Sequence, residues 1–238
     1  MTTAVQRAGS EGGEGLVLFA LAEEAAAFRR FRGGGDRVRM RLTGIGADNA
    51  RAAAQEVLRG GRPAWVLSAG FAGGLDPAMA FGRVVYEAER GSALEAALEA
   101  GGAVRGRFHC ADRVLVTAAE KASAWRATGA SAVEMESGVL RACFEQGGIP
   151  MATVRVISDT AMESLPLDFN RYATPDMRMD YPRLMGALVR RPAVALELMR
   201  FRRRLGRAAG ALASVLWKAV RRLERAENEG AGPGMAQE

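Results

Sequence analysis

The sequence has one histidine, His109, and two cysteines, Cys110 and Cys143, among 238 residues. A single imidazole nearly excludes His-rich metal sites, and it leaves little material for a Ser-His-Asp triad. Two thiols cannot build a disulfide framework, which points to a reducing compartment. Cys143 stands in an apolar helical segment beside Val139 and Leu140 and reads as a buried structural thiol rather than a nucleophile. Long apolar runs are missing too, since none approaches the roughly 18 to 20 residues that span a bilayer. The opening stretch, MTTAVQRAGSEGGEG, has no apolar h-region and carries acids, so no secretory signal is read there and a cytoplasmic location is expected. What is present is ordinary for a folded protein: 49% hydrophobic and 25% charged residues exclude wholesale disorder. The length fits one substantial domain, or one domain with an appendage.

The net charge of +6 is unevenly placed. Residues 1–182 hold 21 Lys and Arg against 22 Asp and Glu, whereas residues 183–225 hold 12 basic residues against Glu197 and Glu224. The basicity therefore belongs to one segment and not to the body.

The body reads as strands alternating with helices. Residues 15–20 (GLVLFA) suit a buried strand, and 38–42 (VRMRL) alternate with period two. A helix is expected over 49–59, and a strand over 65–68 that ends in a glycine-rich turn at Gly70 to Gly74. Further strands are expected at 84–86, 114–117 and 151–157, with a helix over 134–146. This order predicts an α/β domain with a largely buried sheet. The polar stretch 166–182 reads as a loop or lid, in which Asp168 and Asp176 serve as helix caps or substrate contacts.

Glycine turns at strand ends let a ligand approach the backbone closely. Neither Thr43-Gly44-Ile45-Gly46 nor Gly70 to Gly74 has dinucleotide or P-loop spacing, so NAD and ATP are discounted. Acids stand where polar groups are unexpected: Glu23-Glu24 after the first strand, Glu134-Met135-Glu136 before a helix, and Ser158-Asp159 at the end of an apolar strand. Such carboxylates serve proton transfer or grip hydroxyls. They equally serve as helix caps and first-turn acids.

The ordered motifs ALAEEAAAF, TGIGADNA, SAGFAGGLDPAMAFGRVV and VEMESGVLRACFEQGGIPMATVRVISDTA resemble the superfamily of purine nucleoside phosphorylases and methylthioadenosine/S-adenosylhomocysteine nucleosidases. The resemblance covers about residues 15–162. It implies a three-layer α/β/α fold around a mixed, partly barrel-like sheet, and cleavage of a purine–ribose N-glycosidic bond. Carried onto matching positions, it implies that Asp159 protonates or hydrogen-bonds purine N7, that Glu136 binds the ribose hydroxyls with Met135 packed on the sugar, and that Glu24 activates water. Ser158, Phe71 and Ala118 are the implied purine contacts, and the backbone at Gly46 and Gly70 lies on the side of the nucleophile or phosphate. Phe71 stands where several members carry Ser, and Ser68 where hexameric phosphorylases carry Arg. A phosphate dianion needs such donors, so the pattern leans toward hydrolysis. Inorganic phosphate remains open as co-substrate, and no cofactor or metal is expected. The runs GFAGGLDP, VTAAEK and SDTAMESLP are similar to the hopanoid-associated branch, which implies adenosylhopane as substrate. A methylthioadenosine/S-adenosylhomocysteine nucleosidase and a non-catalytic nucleoside- or lipid-binding protein are the alternatives. A homodimer is expected.

From Leu198, apolar residues recur at 201, 205, 209, 212, 216, 220 and 223, one helical stripe opposite an arginine-rich face. Such a helix either packs on the body with a solvated basic face or lies on an anionic membrane. With no recognition module beside it, no nucleic-acid partner is expected. The domain plan is thus a flexible N-terminus at 1–14, a catalytic domain at 15–190, a basic amphipathic appendage at 191–225 and a flexible tail at 226–238. If the helix lies on a membrane, truncation after about residue 192 is expected to spare the chemistry, because the candidate acids all precede residue 162; if it belongs to the core, truncation is expected to unfold the chain.

Overall fold

The computed structural model describes residues 14–31, 37–174 and 180–230. In chain order the elements are β1 (Gly15–Phe19), α1 (Ala22–Arg29), β2 (Val38–Leu42), α2 (Ala47–Gly60), β3 (Val66–Gly74), β4 (Val84–Glu87), α3 (Ala93–Gly101), β5 (Val104–Arg105), β6 (Phe108–Cys110), α4 (Ala118–Thr128), β7 (Ala132–Glu134), α5 (Ser137–Gln146), β8 (Met151–Asp159), α6 (Tyr181–Arg190) and α7 (Pro192–Gly230). A 3-10 turn at Phe169–Tyr172 precedes α6.

Side-chain alternation in the buried strands sets the layers. Val17 and Phe19 of β1 pack into a cluster with α1, α3 and α7, while Leu16 and Leu18 pack into another with α2 and α5. Helices therefore cover both faces of the sheet, the expected three-layer arrangement. The strands run in the order β2-β1-β3-β8-β4-β5, with β7 bridging β3 and β6 off that path. Pairing is parallel from β2 through β8, antiparallel from β8 to β4, and antiparallel between the last two residues of β3 and β7. These two antiparallel pairings make the sheet mixed.

Two expected elements differ. The stretch 114–117 is not a strand, because its backbone bonds to a neighbouring loop: Val114 N–H donates to Asn170 Oδ1, Asn170 Nδ2 donates to Val114 O, and Leu165 N–H donates to Val116 O. Thr117 instead caps α4, its hydroxyl accepting Glu120 N–H while the Glu120 carboxylate accepts Thr117 N–H. The glycine run at 70–74 is no turn either, since it lies within β3.

The largest correction concerns the expected appendage at 191–225. From Ala208 onward the inner face of α7, including Leu212, Leu216, Val220 and Leu223, is buried in the main core against α1 and α3. Its far end is clamped by Glu224, which accepts Arg37 N–H, and by Glu227, which accepts Trp65 Nε1–H. Each buried Leu or Val contributes about 1.5–3 kcal/mol, so the second half of α7 cannot be removed without opening the core. The stripe reads as predicted, but a protein face covers it. Of the flexible ends expected at 1–14 and 226–238, residues 226–230 continue the helix, and residues 1–13 and 231–238 lie outside the described residues, as does Asp176.

Candidate active site

The site forms where β1, β3 and β8 end together, the usual place for a ligand in a parallel sheet. Asp159 is the last residue of β8, and period-two alternation alone would turn it away from Ser158. A register shift prevents this: Ala72 pairs with Ile157, but Gly73 pairs with Asp159, leaving Ser158 as a bulge. The bulge re-aims both side chains into one cavity. Ser158 Oγ lies 2.6 Å from Asp159 Oδ1 and 3.1 Å from Ala72 O.

The glycines of β3 now have a cause. A Cβ on Gly70 would stand 2.7 Å from Glu24 Oε1, and one on Gly73 would stand 3.3 Å from Asp159 Oδ2. The strand lacks side chains there because carboxylates lie across it.

Glu24, in the first turn of α1, is buried, whereas its neighbour Glu23 is exposed. One carboxylate oxygen accepts Leu21 N–H at 2.9 Å and the other accepts Phe71 N–H at 2.9 Å. The same side chain thus caps its helix and faces the cavity. Burial outweighs these bonds and the nearby Arg155 charge, pushing its pKa from 4.5 to about 7.

Glu134 and Glu136, two residues apart, divide the work differently. Glu134 ends β7 and accepts Glu136 N–H at 3.1 Å, Ser137 N–H at 2.8 Å and Ser137 Oγ–H at 2.6 Å, so it caps α5. The expected helix over 134–146 accordingly begins at Ser137. Burial raises the pKa of Glu134, but the Arg155 guanidinium 2.7 Å away and those donors outweigh it and hold the carboxyl below its ordinary value. Glu136 is freed to line the cavity. It accepts Gly46 N–H at 3.0 Å and lies 3.6 Å from Arg155. Burial raises its pKa, and the Glu134 charge adds to this against the pull of Arg155.

Two buried cations hold this acidic floor, and sequence reasoning missed both. Arg155, in the middle of β8, donates to Ser68 O at 2.7 Å and reaches Ser68 Oγ as well as the two glutamates. Ser68 of β3 thus holds a guanidinium that arrives from the adjacent strand. Lys121 of α4 is fully buried. It donates to Asp159 Oδ2, to Thr160 O at 2.9 Å and to Glu163 O at 2.7 Å, which uses all three ammonium protons. A lone arginine within an apolar strand was a legible signal, while a lysine in an alanine-rich helix was not.

The cavity, about 240 Å³, contains Glu24, Phe71, Met135, Glu136, Ser158 and Asp159 in its lining. Six of the nine sequence-derived site residues therefore come together. Gly46 and Gly70 act one step back, the first by binding Glu136 and the second by leaving room for Glu24. Ala118 does not reach the cavity: it opens α4, and its N–H donates to Ser164 Oγ at 3.2 Å. Capping α4 at Thr117 places it there. Asp168 caps the 3-10 turn through Asn170 N–H, so it reads as a cap. The outer wall is apolar, with Val114, Leu115, Leu165, Phe169, Phe201 and Leu205. The last two come from α7, so the C-terminal helix reaches the site as well as the core.

A sequence model described as the Phosphorylase superfamily matches residues 21–89 and 86–189. Comparison with curated protein sequences gives no match. Among solved structures, futalosine hydrolase of Helicobacter pylori strain 26695 is similar with a TM-score of 0.65 at 16% identity, covering 88% of this chain and 97% of that one. A methylthioadenosine/S-adenosylhomocysteine nucleosidase from Colwellia psychrerythraea 34H, in complex with adenine, has a TM-score of 0.65 at 17% identity, with 89% and 96% covered. The corresponding nucleosidase from Neisseria meningitidis, in complex with methylthio-immucillin-A, has a TM-score of 0.64 at 19% identity, with 87% and 98% covered. With its motifs, its sheet and the span of that sequence match in agreement, the chain belongs to the phosphorylase superfamily.

Proposed function

We propose that this protein hydrolyses the N-glycosidic bond of an adenosine carrying an apolar 5′ substituent, with adenosylhopane the substrate implied by its sequence resemblance. The observation that carries the reading is the convergence of Glu24, Glu136 and Asp159 on one cavity. Bond cleavage leaves positive charge on the ribose and sends an electron pair to the purine. Asp159 relays a proton from the Lys121 ammonium to N7 of the leaving base, Lys121 being reprotonated from solvent after release, and general-acid help of this kind is worth about 10²- to 10⁴-fold. Glu136 binds the ribose hydroxyls and opposes the developing positive charge. Glu24, with its pKa near 7, takes the proton of the attacking water.

Charge favours water over phosphate as the nucleophile. Lys121 is engaged by Asp159, Arg155 by Glu134, and Arg113 at the rim by Glu120 at 2.7 Å. A phosphate dianion would meet carboxylates whose neighbouring cations are already paired. The apolar outer wall supports a hydrophobic 5′ group over the charged amino-acid chain of S-adenosylhomocysteine.

Product analysis tests the reading. Incubation with a 5′-alkyl adenosine should release adenine and the 5-alkyl ribose at a rate independent of phosphate. The 5-alkyl ribose 1-phosphate as product would replace hydrolysis by phosphorolysis, and bound but intact nucleoside would mark a binding protein.

A further inference from the structure

We propose that the corner where α6 meets α7 docks on an anionic lipid bilayer. Large apolar side chains stand in solvent here: Met185 is 56% exposed, Val189 79%, Leu196 45% and Met199 56%. They do not belong to the core faces of their helices. On α6, Leu184 is buried, while Met185 and Val189 share another face one turn apart. On α7, Phe201 and Leu205 turn to the cavity, and Leu196 and Met199 lie on the opposite side. That outward side continues into exposed Arg200, Arg203 and Arg207 at helical spacing.

The charge around these side chains selects the occupant. Residues 183–207 contain eight arginines and one acid, Glu197. A second copy of the chain docked by its own twofold would bring two such arginine sets together and repel. Nucleic acid would meet the arginines but offer no apolar phase to the methionines, valine and leucine. An anionic bilayer satisfies both, with headgroup phosphates for the guanidinium groups and the acyl boundary for the apolar side chains. Among the described residues no helix is long and apolar enough to cross a membrane, so the attachment is peripheral.

The surface differs from the stripe at 198–223, whose second half is core. It adjoins the site: a depression of about 280 Å³ shares Asp159 and Phe201 with the cavity and is flanked by Glu197, Arg200 and Arg204 of α7. Met162, 79% exposed, precedes Glu163, whose carboxylate holds Arg204 of α7 at 2.9 Å. Docking does not depend on the reaction, although it would turn the cavity mouth toward the bilayer.

Sedimentation of the full chain with phosphatidylcholine vesicles, with and without phosphatidylglycerol, tests the proposal. Binding should require the anionic lipid and should weaken as salt rises from about 0.1 M to about 0.5 M, over which the Debye length shrinks about twofold. Val189→Glu and Met199→Glu should each lower partitioning at least about tenfold, because each loses apolar insertion and adds an anion. The triple variant Arg190→Gln, Arg191→Gln, Arg203→Gln should lower it about 100-fold, at about fivefold per arginine. Circular dichroism should show every variant folded. Asp159→Asn should bind vesicles like the parent chain, so failure of the catalytic reading would leave this result standing. Absence of binding to phosphatidylglycerol vesicles at low salt overturns the proposal. So does binding that neither set of variants affects. A dimer in light scattering that Val189→Glu dissociates, without vesicle binding by the parent, would assign the corner to an interface between copies and overturn it equally.

Discussion

The floor and the outer wall of the cavity are built on opposite physical terms. The floor, from the end of β8, the first turn of α1 and the β7–α5 junction, holds buried carboxylates kept in place by backbone amides and two buried cations. The wall, from Val114, Leu115, Leu165, Phe169 and, on α7, Phe201 and Leu205, holds side chains with nothing to donate or accept. A rigid sheet is suited to fixing charges to within tenths of an ångström, where transition-state stabilisation demands it. Segments outside the sheet can change shape without disturbing those charges. The difference teaches that chemistry and substrate choice are separable here: floor substitutions should lower turnover on every substrate alike, and wall substitutions should discriminate among substrates.

The largest expected effect is at Asp159. Asp159→Asn should lower turnover at least about 100-fold on every nucleoside tested while changing binding only several-fold. Unequal losses between a small and a bulky 5′ substituent would break the separation.

Lys121→Met should come next, and in stability as well as rate. Removing one partner of a buried ion pair typically costs about 3–5 kcal/mol, because the other charge is left unpaired. Urea denaturation should show a loss of that order. Adding Asp159→Asn should restore part of it, and strict additivity of the two would mean that the pair is not coupled.

Glu24 gives a pH signature. Its folded pKa of about 7 lies above the ordinary 4.5, so the folded state holds a proton that the unfolded state releases. Stability from this group is present below about pH 4.5 and is lost as pH rises through about 7, by up to about 3 kcal/mol. Glu24→Gln should abolish that loss, measured as the difference in unfolding free energy between pH 5 and pH 8. In the parent enzyme kcat/KM for hydrolysis should rise with pH to a plateau above about 7, and the variant should lack both the limb and most of the rate.

The smallest effect belongs to the wall. Phe201→Ala should raise KM about tenfold for a 5′-alkyl adenosine, consistent with losing part of one aromatic contact. It should leave kcat, and KM for unsubstituted adenosine, within about twofold. Equal losses on both substrates would assign Phe201 to the floor.

Much of the floor was legible in the sequence because its motifs are short and ordered along the chain. The apolar runs of β1 and β8 and the alternation of β2 follow from local pattern, and the acids stand at the ends of those runs. What failed to show was what lies across from each residue. The glycines of β3 look like a turn until Glu24 is seen to occupy the space of a Gly70 side chain, and Val133 and Asp159 to crowd that of Gly73. Lys121 looks like a solvated helix charge until three acceptors enclose it. The α7 stripe was read correctly as apolar, but periodicity says only that a face will be covered, not by what. Ala118 was placed at the purine by resemblance, but the local cap at Thr117 sets it at the start of α4, outside the cavity lining.

The central claim is tested most directly by adenine release from a graded series, adenosine and its 5′-alkyl derivatives of increasing length. The account predicts phosphate-independent release, with kcat/KM rising along the series and Asp159→Asn lowering every member by the same factor. Intact nucleoside across the whole series would contradict it.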